Sequence, residues 1–198
     1  MTKTLPASPY CTIGPFFPGS FAAGCNDLTT FEGNTARGQH IQLSGQVFEA
    51  GRKPILNAIV EIWQPDANGI FRHPLDPRRA EADPGFFGWG RARTDAEGRY
   101  SFRTVIPGAY TTADGALRCP HVNLMVLAIG LTRRLVTTVF FSDAQQPATD
   151  PLLEGIEPER RNLLFALRGT PGNASQPLPV YRFDIVTRGE AETPFFID

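Results

Sequence analysis

Apolar and polar residues alternate along Ile41-Gln-Leu-Ser-Gly-Gln-Val-Phe48 and again along Tyr100-Ser-Phe-Arg-Thr-Val105. A period of two puts alternate side chains on opposite faces, so each stretch predicts a half-buried strand. Ala58-Ile-Val-Glu-Ile-Trp63 predicts a further strand, closed by the turn signal Asp66-Ala-Asn-Gly69. Arg91-Ala-Arg-Thr94 leads into the turn Asp95-Ala-Glu-Gly98, and His121 to Leu127 and Arg134 to Phe141 read as two more strands. From Pro151 to Leu167 the apolar positions Leu152, Leu153, Ile156, Leu163, Leu164 and Leu167 have helical spacing, with Glu157-Pro158-Glu159 as a start signal. Val180 to Val186 and Thr193 to Ile197 are expected to close the sheet. Short strands separated by turns at this spacing predict a mainly β protein, an antiparallel β-sandwich with one short helical segment near 152–167.

Residues 1–40 read differently. Pro6, Pro9, Gly14, Pro15, Pro18 and Gly19 forbid a continuous helix or central strand, so an irregular N-terminal arm is expected ahead of a core over 41–198. The arm nevertheless carries Tyr10, Phe16, Phe17 and Phe21. Leaving that many rings in water is costly, so the arm is expected to pack on the domain or on a partner. A chain of 198 residues buries a full core as a single domain spanning 1–198.

Composition narrows the function classes. A formal net charge of -1 gives no electrostatic case for nucleic acid or an anionic membrane, and no apolar run approaches a membrane span. The N-terminus lacks the apolar stretch of a secretory signal, and three cysteines, Cys11, Cys25 and Cys119, form no C-x-x-C pair. Reduced thiols and a cytoplasmic location are the simplest expectation.

Candidate chemistry is sparse. Of the three histidines, His40 and His73 sit at loop edges and read as solvated, while His121 opens a strand. Residues i and i+2 of a strand share a face, so a metal site here calls for His-x-His, yet position 123 is Asn. Cys119 beside His121 reads as a neutral thiol, and Asp76, Glu81 and Asp83 as a solvated loop. No serine-hydrolase elbow, P-loop, dinucleotide fingerprint or H-E-x-x-H is present. Spacing and composition stop at a β-sandwich with one half-formed ligand pair.

A longer ordered pattern goes further. Leu43-x-Gly45-x-Val47, Pro54-Ile-Leu-Asn57-Ala and Val60-Glu-Ile-Trp63-Gln-x-Asp66-x-x-Gly69 occur in succession. They are followed by Gly88-x-Gly90-Arg91-x-x-Thr94-Asp-x-x-Gly98-x-Tyr100-x-Phe-Arg-Thr104-x-x-Pro107-Gly108, then Pro120-His121 and Tyr181-Arg-Phe-Asp184. Over nearly the whole chain this resembles the intradiol ring-cleaving dioxygenases. The resemblance implies an Fe(III) enzyme family acting on catecholates with O2, whose metal is held by two tyrosinates and two histidines. Hard anionic phenolates stabilise Fe(III), and a bound catechol dianion is thereby activated for attack by O2.

Laid on this chain, the resemblance places the four ligand positions at Phe71, Tyr110, His121 and Asn123. Two of these lack a suitable donor, which implies a vestigial metal site and no metal on this chain. Pro120-His-Val-Asn123, the C-terminal Tyr181-Arg-Phe-Asp-Ile…Gly189-Glu-x-Glu-Thr193-x-Phe-Phe and the arm Pro9-x-x-Thr12-x-Gly14-Pro15-Phe16 resemble the iron-free α-type subunits of the family's protocatechuate-cleaving branch. Such subunits work with a homologous iron-bearing β subunit, in αβ pairs that assemble further. In that setting Thr12, Gly14, Pro15 and Phe16 are expected to line the substrate pocket beside the partner's iron, or else to staple the interface between the chains. One departure is Ile129 before Gly130, where α-type chains often carry an arginine; Arg133 and Arg134 nearby read as surface or interface charges. The alternatives are an α-type subunit for another substituted catechol, and a sandwich scaffold without enzymatic function.

Overall fold

The computed structural model describes residues 17–143, 150–169 and 178–196. Among the described residues thirteen strands follow in chain order: β1 (Thr30–Phe31), β2 (Asn34–Thr35), β3 (His40–Phe48), β4 (Ile59–Trp63), β5 (Trp89–Arg93), β6 (Arg99–Val105) and β7 (Tyr110–Thr111). They continue with β8 (Leu117–Arg118), β9 (His121–Leu127), β10 (Leu135–Phe141), β11 (Phe165–Arg168), β12 (Val180–Arg182) and β13 (Ile185–Val186). Nine of them join in one sheet, ordered β13-β3-β12-β11-β10-β9-β4-β5, with β6 also on β3. The sheet folds over on itself, so β3, β6 and β12 face β4, β9 and β10 across a common core.

Alternation builds that core. Ile41, Leu43 and Val47 of β3, Phe102 of β6, Val60 and Ile62 of β4, Val122, Leu124 and Val126 of β9, and Val139 and Phe141 of β10 pack in one cluster. All are within a percent of full burial. Each buried Leu, Ile, Val or Phe contributes about 1.5–3 kcal/mol relative to exposure, before the entropy of ordering the chain is subtracted.

The mainly β expectation holds, with four refinements. Pairing is antiparallel between β3 and β6, β4 and β5, β4 and β9, β9 and β10, and β11 and β12. It is parallel between β10 and β11, β12 and β3, and β13 and β3, so the sandwich is mixed. The expected helix over 152–167 is two short pieces, an α-helix at Pro151–Glu154 and a 3-10 helix at Pro158–Leu164, after which Phe165 to Arg168 is strand. Pro158 lacks the amide that would continue the first helix, and Leu167 is exposed on a strand. Within the region expected to be an irregular arm, Thr30–Thr35 forms a hairpin whose turn residues Glu32 and Gly33 both take positive φ, the geometry a two-residue hairpin demands. Of the C-terminal strand expected at Thr193–Ile197, Phe196 makes one bridge to Val136, and Ile197 lies outside the described residues.

Candidate functional site

Strand β9 has two faces. Val122, Leu124 and Val126 enter the core, so His121, Asn123 and Met125 point the other way, to the outer side of the sheet. Their register partners there are Phe140, Thr138 and Val136 on β10, and Trp63 and Glu61 on β4. Trp63 lies directly opposite Asn123.

Two loops deliver Phe71 and Tyr110 to the same place. The Asp66–Gly69 turn is held by Asp66, whose Oδ1 accepts from the amides of Asn68 and Ile70 at 2.8 and 3.0 Å. The Asp66 carbonyl also accepts from Gly108 N at 2.9 Å, which ties this turn to the Pro107-Gly108 bend before Tyr110. Only glycines permit the approach. A Cβ on Gly69 would fall 2.1 Å from the Ala109 carbonyl oxygen, and one on Gly108 would fall 2.4 Å from Gly69 N. Past the turn, Phe71 N donates to Asp76 Oδ2 at 2.9 Å.

The four expected positions therefore converge. Phe71 meets Tyr110 edge-to-face at a centroid distance of 5.1 Å, and Tyr110 lies 5.6 Å from His121. On one side Phe71 stacks on Trp63 at 5.8 Å, and on the other His121 packs against Phe140 at 5.7 Å. The hydroxyl of Thr138 donates to Asn123 Oδ1 at 2.9 Å. Beside Phe71 and Tyr110 opens a cavity of about 550 Å³ whose walls include Trp63, His73 and Arg78.

Electrostatics keep the retained donors neutral. His121 is 1% exposed, and its Nδ1 lies 2.6 Å from the Cys119 carbonyl, which accepts only, so Nδ1 carries the proton. Burial, with the Arg118 charge adding to it, pushes its pKa down to about 4. Among the described residues, His121 Nε2 and Arg118 Nη2 are buried without a hydrogen-bond partner. Burial also raises the Tyr110 phenol above its ordinary value, and lifts the Cys119 thiol to about 11, so Cys119 is a neutral thiol as expected.

Arg118 and Asp150 belong to this cluster although sequence reasoning did not single them out. Asp150 accepts from Arg118 Nε at 3.1 Å, Cys119 N at 2.8 Å and Leu152 N at 3.0 Å. Burial alone would raise its pKa, but the amides of Cys119 and Leu152 and the guanidinium outweigh that and hold it below the usual carboxylate range. Arg118 stands three residues before His121, a proximity visible in the sequence; Asp150 is 29 residues beyond His121 and was not.

Of the other expectations, some change and some hold. Asp83 is buried, accepting from the amides of Arg37 and Gly85 at 2.6 and 2.9 Å, and Asp76 holds Phe71 N, so these carboxylates organise the loop and are not simply solvated. His40 is half-buried with Nε2 2.7 Å from the Ala36 carbonyl, while His73 is exposed and meets Trp63 edge-on at 6.1 Å. Arg133, Arg134 and Ile129 are exposed, with Arg134 on a groove that Asn123 also lines. Thr12, Gly14, Pro15 and Phe16 lie outside the described residues.

The residues present do not fit a four-donor ferric site. Phe71 has no oxygen, Asn123 offers a neutral amide already engaged by Thr138, and one imidazole nitrogen and one phenol remain. Among the described residues, no three His, Cys, Asp or Glu side chains gather as a metal site.

Comparisons with known proteins identify the family. The family model described as "Dioxygenase" matches residues 12–189. The protocatechuate 3,4-dioxygenase alpha chain of Pseudomonas putida is 34% identical, covering 98% of both chains, and that of Burkholderia cepacia is 36% identical over the same shares. The Burkholderia cepacia beta chain is 37% identical over 79% of this chain and 68% of its own. Among solved structures, the dioxygenase domain of a carbohydrate-binding fusion from Streptomyces sp. SirexAA-E superposes with a TM-score of 0.61 at 25% identity, covering 90% of this chain and 96% of that one. Catechol 1,2-dioxygenase from Acinetobacter sp. ADP1 shares the fold with a TM-score of 0.60 at 23% identity, over 97% of this chain and 67% of its own. From sheet, site positions and near-full-length relatives together, the chain belongs to the iron-dependent intradiol ring-cleaving dioxygenases and is homologous to their α-type chains.

Proposed function

We propose that this chain is the iron-free α subunit of a protocatechuate 3,4-dioxygenase. With an iron-bearing β subunit it supports cleavage of protocatechuate by O2 to 3-carboxy-cis,cis-muconate. The bond between the two hydroxyl-bearing carbons breaks, and both oxygen atoms of O2 enter the product. The observation that carries this reading is the pair of vacancies at Phe71 and Asn123 within an otherwise assembled site. A site that keeps its positions and loses its donors belongs to a chain whose chemistry is done elsewhere.

In this reading Fe(III) is on the partner, and Thr12, Gly14, Pro15 and Phe16 line the pocket beside it, Gly14 and Pro15 shaping the backbone and Phe16 offering an aromatic wall. Two homologous sandwich domains form a pseudo-twofold αβ pair, and the pairs assemble further. The working compartment is the cytoplasm, where Cys25 and Cys119 stay as thiols outside any disulfide.

Metal analysis of the chain, purified alone and with a co-expressed iron subunit, tests the proposal. Alone it is expected to be colourless, iron-free and inactive, and the co-expressed complex to hold iron and consume protocatechuate. Stoichiometric iron with the burgundy colour of a tyrosinate complex in the isolated chain would overturn it.

A further inference from the structure

A second concavity lies away from the vestigial site, on the outer face of β3 and β6. Ile41, Leu43 and Val47 of β3 enter the core, so Gln42, Ser44 and Gln46 point the other way. Register sets Arg182 of β12, Ser44 of β3 and Ser101 of β6 side by side in one row. Beyond β6 the segment 25–28 bridges to β5. The Cys25 carbonyl accepts from Arg91 N at 2.8 Å and the Asn26 carbonyl from Arg103 N at 2.9 Å, while Leu28 N donates to the Arg103 carbonyl at 2.8 Å. These bonds fix the chain just before them as a wall over the row, and a cleft of about 660 Å³ opens between wall and sheet. Small-molecule sites span roughly 300–1,000 Å³.

The wall carries little side chain. Gly19, Ala22, Ala23 and Gly24 build it, and nothing stands within 4 Å of where a Cβ would lie on either glycine. Among the described residues, Arg93, Arg99 and Arg182 line the cleft against one acid, Asp95. Arg99 already meets Glu97 at 3.2 Å, and Arg182 uses Nε on Asp184 at 3.3 Å and Nη2 on Gln46 at 3.1 Å. The Arg93 side chain and the half-buried Ser44 hydroxyl bond no described group. Ser101 Oγ accepts from Gln42 Nε2 at 3.1 Å, which leaves its own hydrogen to donate. Tyr100 is buried with its hydroxyl on the Phe183 carbonyl at 2.7 Å, so it offers no ring face to the cleft.

The donors therefore lie in a line, with a guanidinium at each end, on β12 and β5, and two hydroxyls between. Neighbouring strands are about 4.8 Å apart, so Arg182 and Ser101 are rooted roughly 10 Å from one another, with Arg93 beyond Ser101. Excess positive charge draws in an anion, and guanidinium forks match carboxylates. A compact anion reaches one end of the line only, and an aromatic one finds no surface to stack on. We propose that this cleft binds a small elongated polycarboxylate, with its charged ends on Arg93 and Arg182 and its middle over Ser44 and Ser101. The vestigial metal positions face out from β9, on the opposite layer of the sandwich, so the two sites are separate.

Equilibrium titration of the purified full chain at low ionic strength tests this, with citrate, succinate and inorganic phosphate as probes. Citrate is expected to bind one site with a Kd on the order of 0.1 mM, succinate more weakly, and phosphate at least about tenfold more weakly than citrate. Arg93→Gln and Arg182→Gln are each expected to weaken citrate about tenfold, the loss of one charge-assisted contact. Ser44→Leu puts a side chain into the cleft without changing its charge, and is expected to weaken citrate at least as much. Arg133→Gln, at an exposed arginine outside the cleft, is expected to leave the Kd within about twofold. No citrate binding up to about 10 mM overturns the proposal, as does an unchanged Kd in Arg93→Gln. Equal affinity for phosphate, or an equal loss in Arg133→Gln, also overturns it, since either marks diffuse attraction of charge. Should Arg182→Gln or Ser44→Leu fail to fold, Arg93→Gln decides alone, because the Arg93 side chain has no bond to a described residue to lose.

Discussion

The two faces of β9 make different demands on sequence. The core face, Val122, Leu124 and Val126, is aliphatic, and each residue is within a percent of full burial. The outer face carries His121, Asn123 and Met125, of which His121 alone is buried. The core face is held by shape and by exclusion of water, which no single polar contact can replace. The outer face is held by particular bonds, from His121 Nδ1 to the Cys119 carbonyl and from the Thr138 hydroxyl to Asn123 Oδ1. A strand can therefore lose a metal donor on one face while its fold, set on the other, is preserved. That separation explains how a complete dioxygenase sheet persists around a site with two vacancies.

Truncating the core face should give the largest effect. Leu124→Ala is expected to cost about 2–5 kcal/mol, from lost burial and a residual cavity, read by urea or thermal unfolding of the chain. A cost below about 1 kcal/mol would show that this face is less tightly packed than the geometry indicates.

Next in size is a pH effect on the outer face. His121 is held neutral with its pKa pushed down to about 4 from 6.5, so the unfolded chain binds a proton first as pH falls. Stability from this group is present above the ordinary value and is lost as pH falls toward 4, on the order of 3 kcal/mol. His121→Leu should flatten the slope of unfolding free energy between pH 7 and about 5, and an unchanged slope would contradict a buried neutral imidazole. Asp150, held below its usual range, contributes in the same direction at lower pH, so the comparison is made above the carboxylate range.

A smaller effect is expected at Thr138. Replacing it by Val removes the hydroxyl that engages Asn123 and should cost about 1 kcal/mol, with a double-mutant cycle against Asn123→Ala isolating the pair. The least change is expected from restoring donors. Phe71→Tyr with Asn123→His supplies four ligand types, yet a histidine at 123 inherits the Thr138 hydroxyl as a neighbour and the Tyr110 phenol is disfavoured as an anion by burial. The double variant is expected to show no stoichiometric iron by metal analysis. Full occupancy with a tyrosinate charge-transfer band would mean that the two vacancies are the whole of the lesion.

The strands were legible because their period is local. His121 to Leu127 matches its expected bounds, and the alternation at 41–48 and 100–105 becomes one antiparallel pair, β3 with β6. Local reading misjudged 152–167, where leucine spacing suits a helix but Leu167 serves a strand pairing with Arg182. It also misjudged Asp83, because whether a loop carboxylate meets water or a distant amide such as Arg37 N depends on chain separated by 46 residues. For the site, the ordered motif named Phe71, Tyr110, His121 and Asn123, while Asp150 emerged only from folding.

By itself, then, the sequence determined the strand pattern, the family and which side chains stand at the four positions, since these follow from local periodicity and residue identity. Tertiary structure decided the rest. It closed the rings of Trp63, Phe71, Tyr110 and His121 into one row, tied Asn123 to Thr138 and neutralised His121 by burial. The physical reason is that hydrogen-bond partners and desolvation are properties of neighbours in space, and here those neighbours come from strands and loops far apart along the chain.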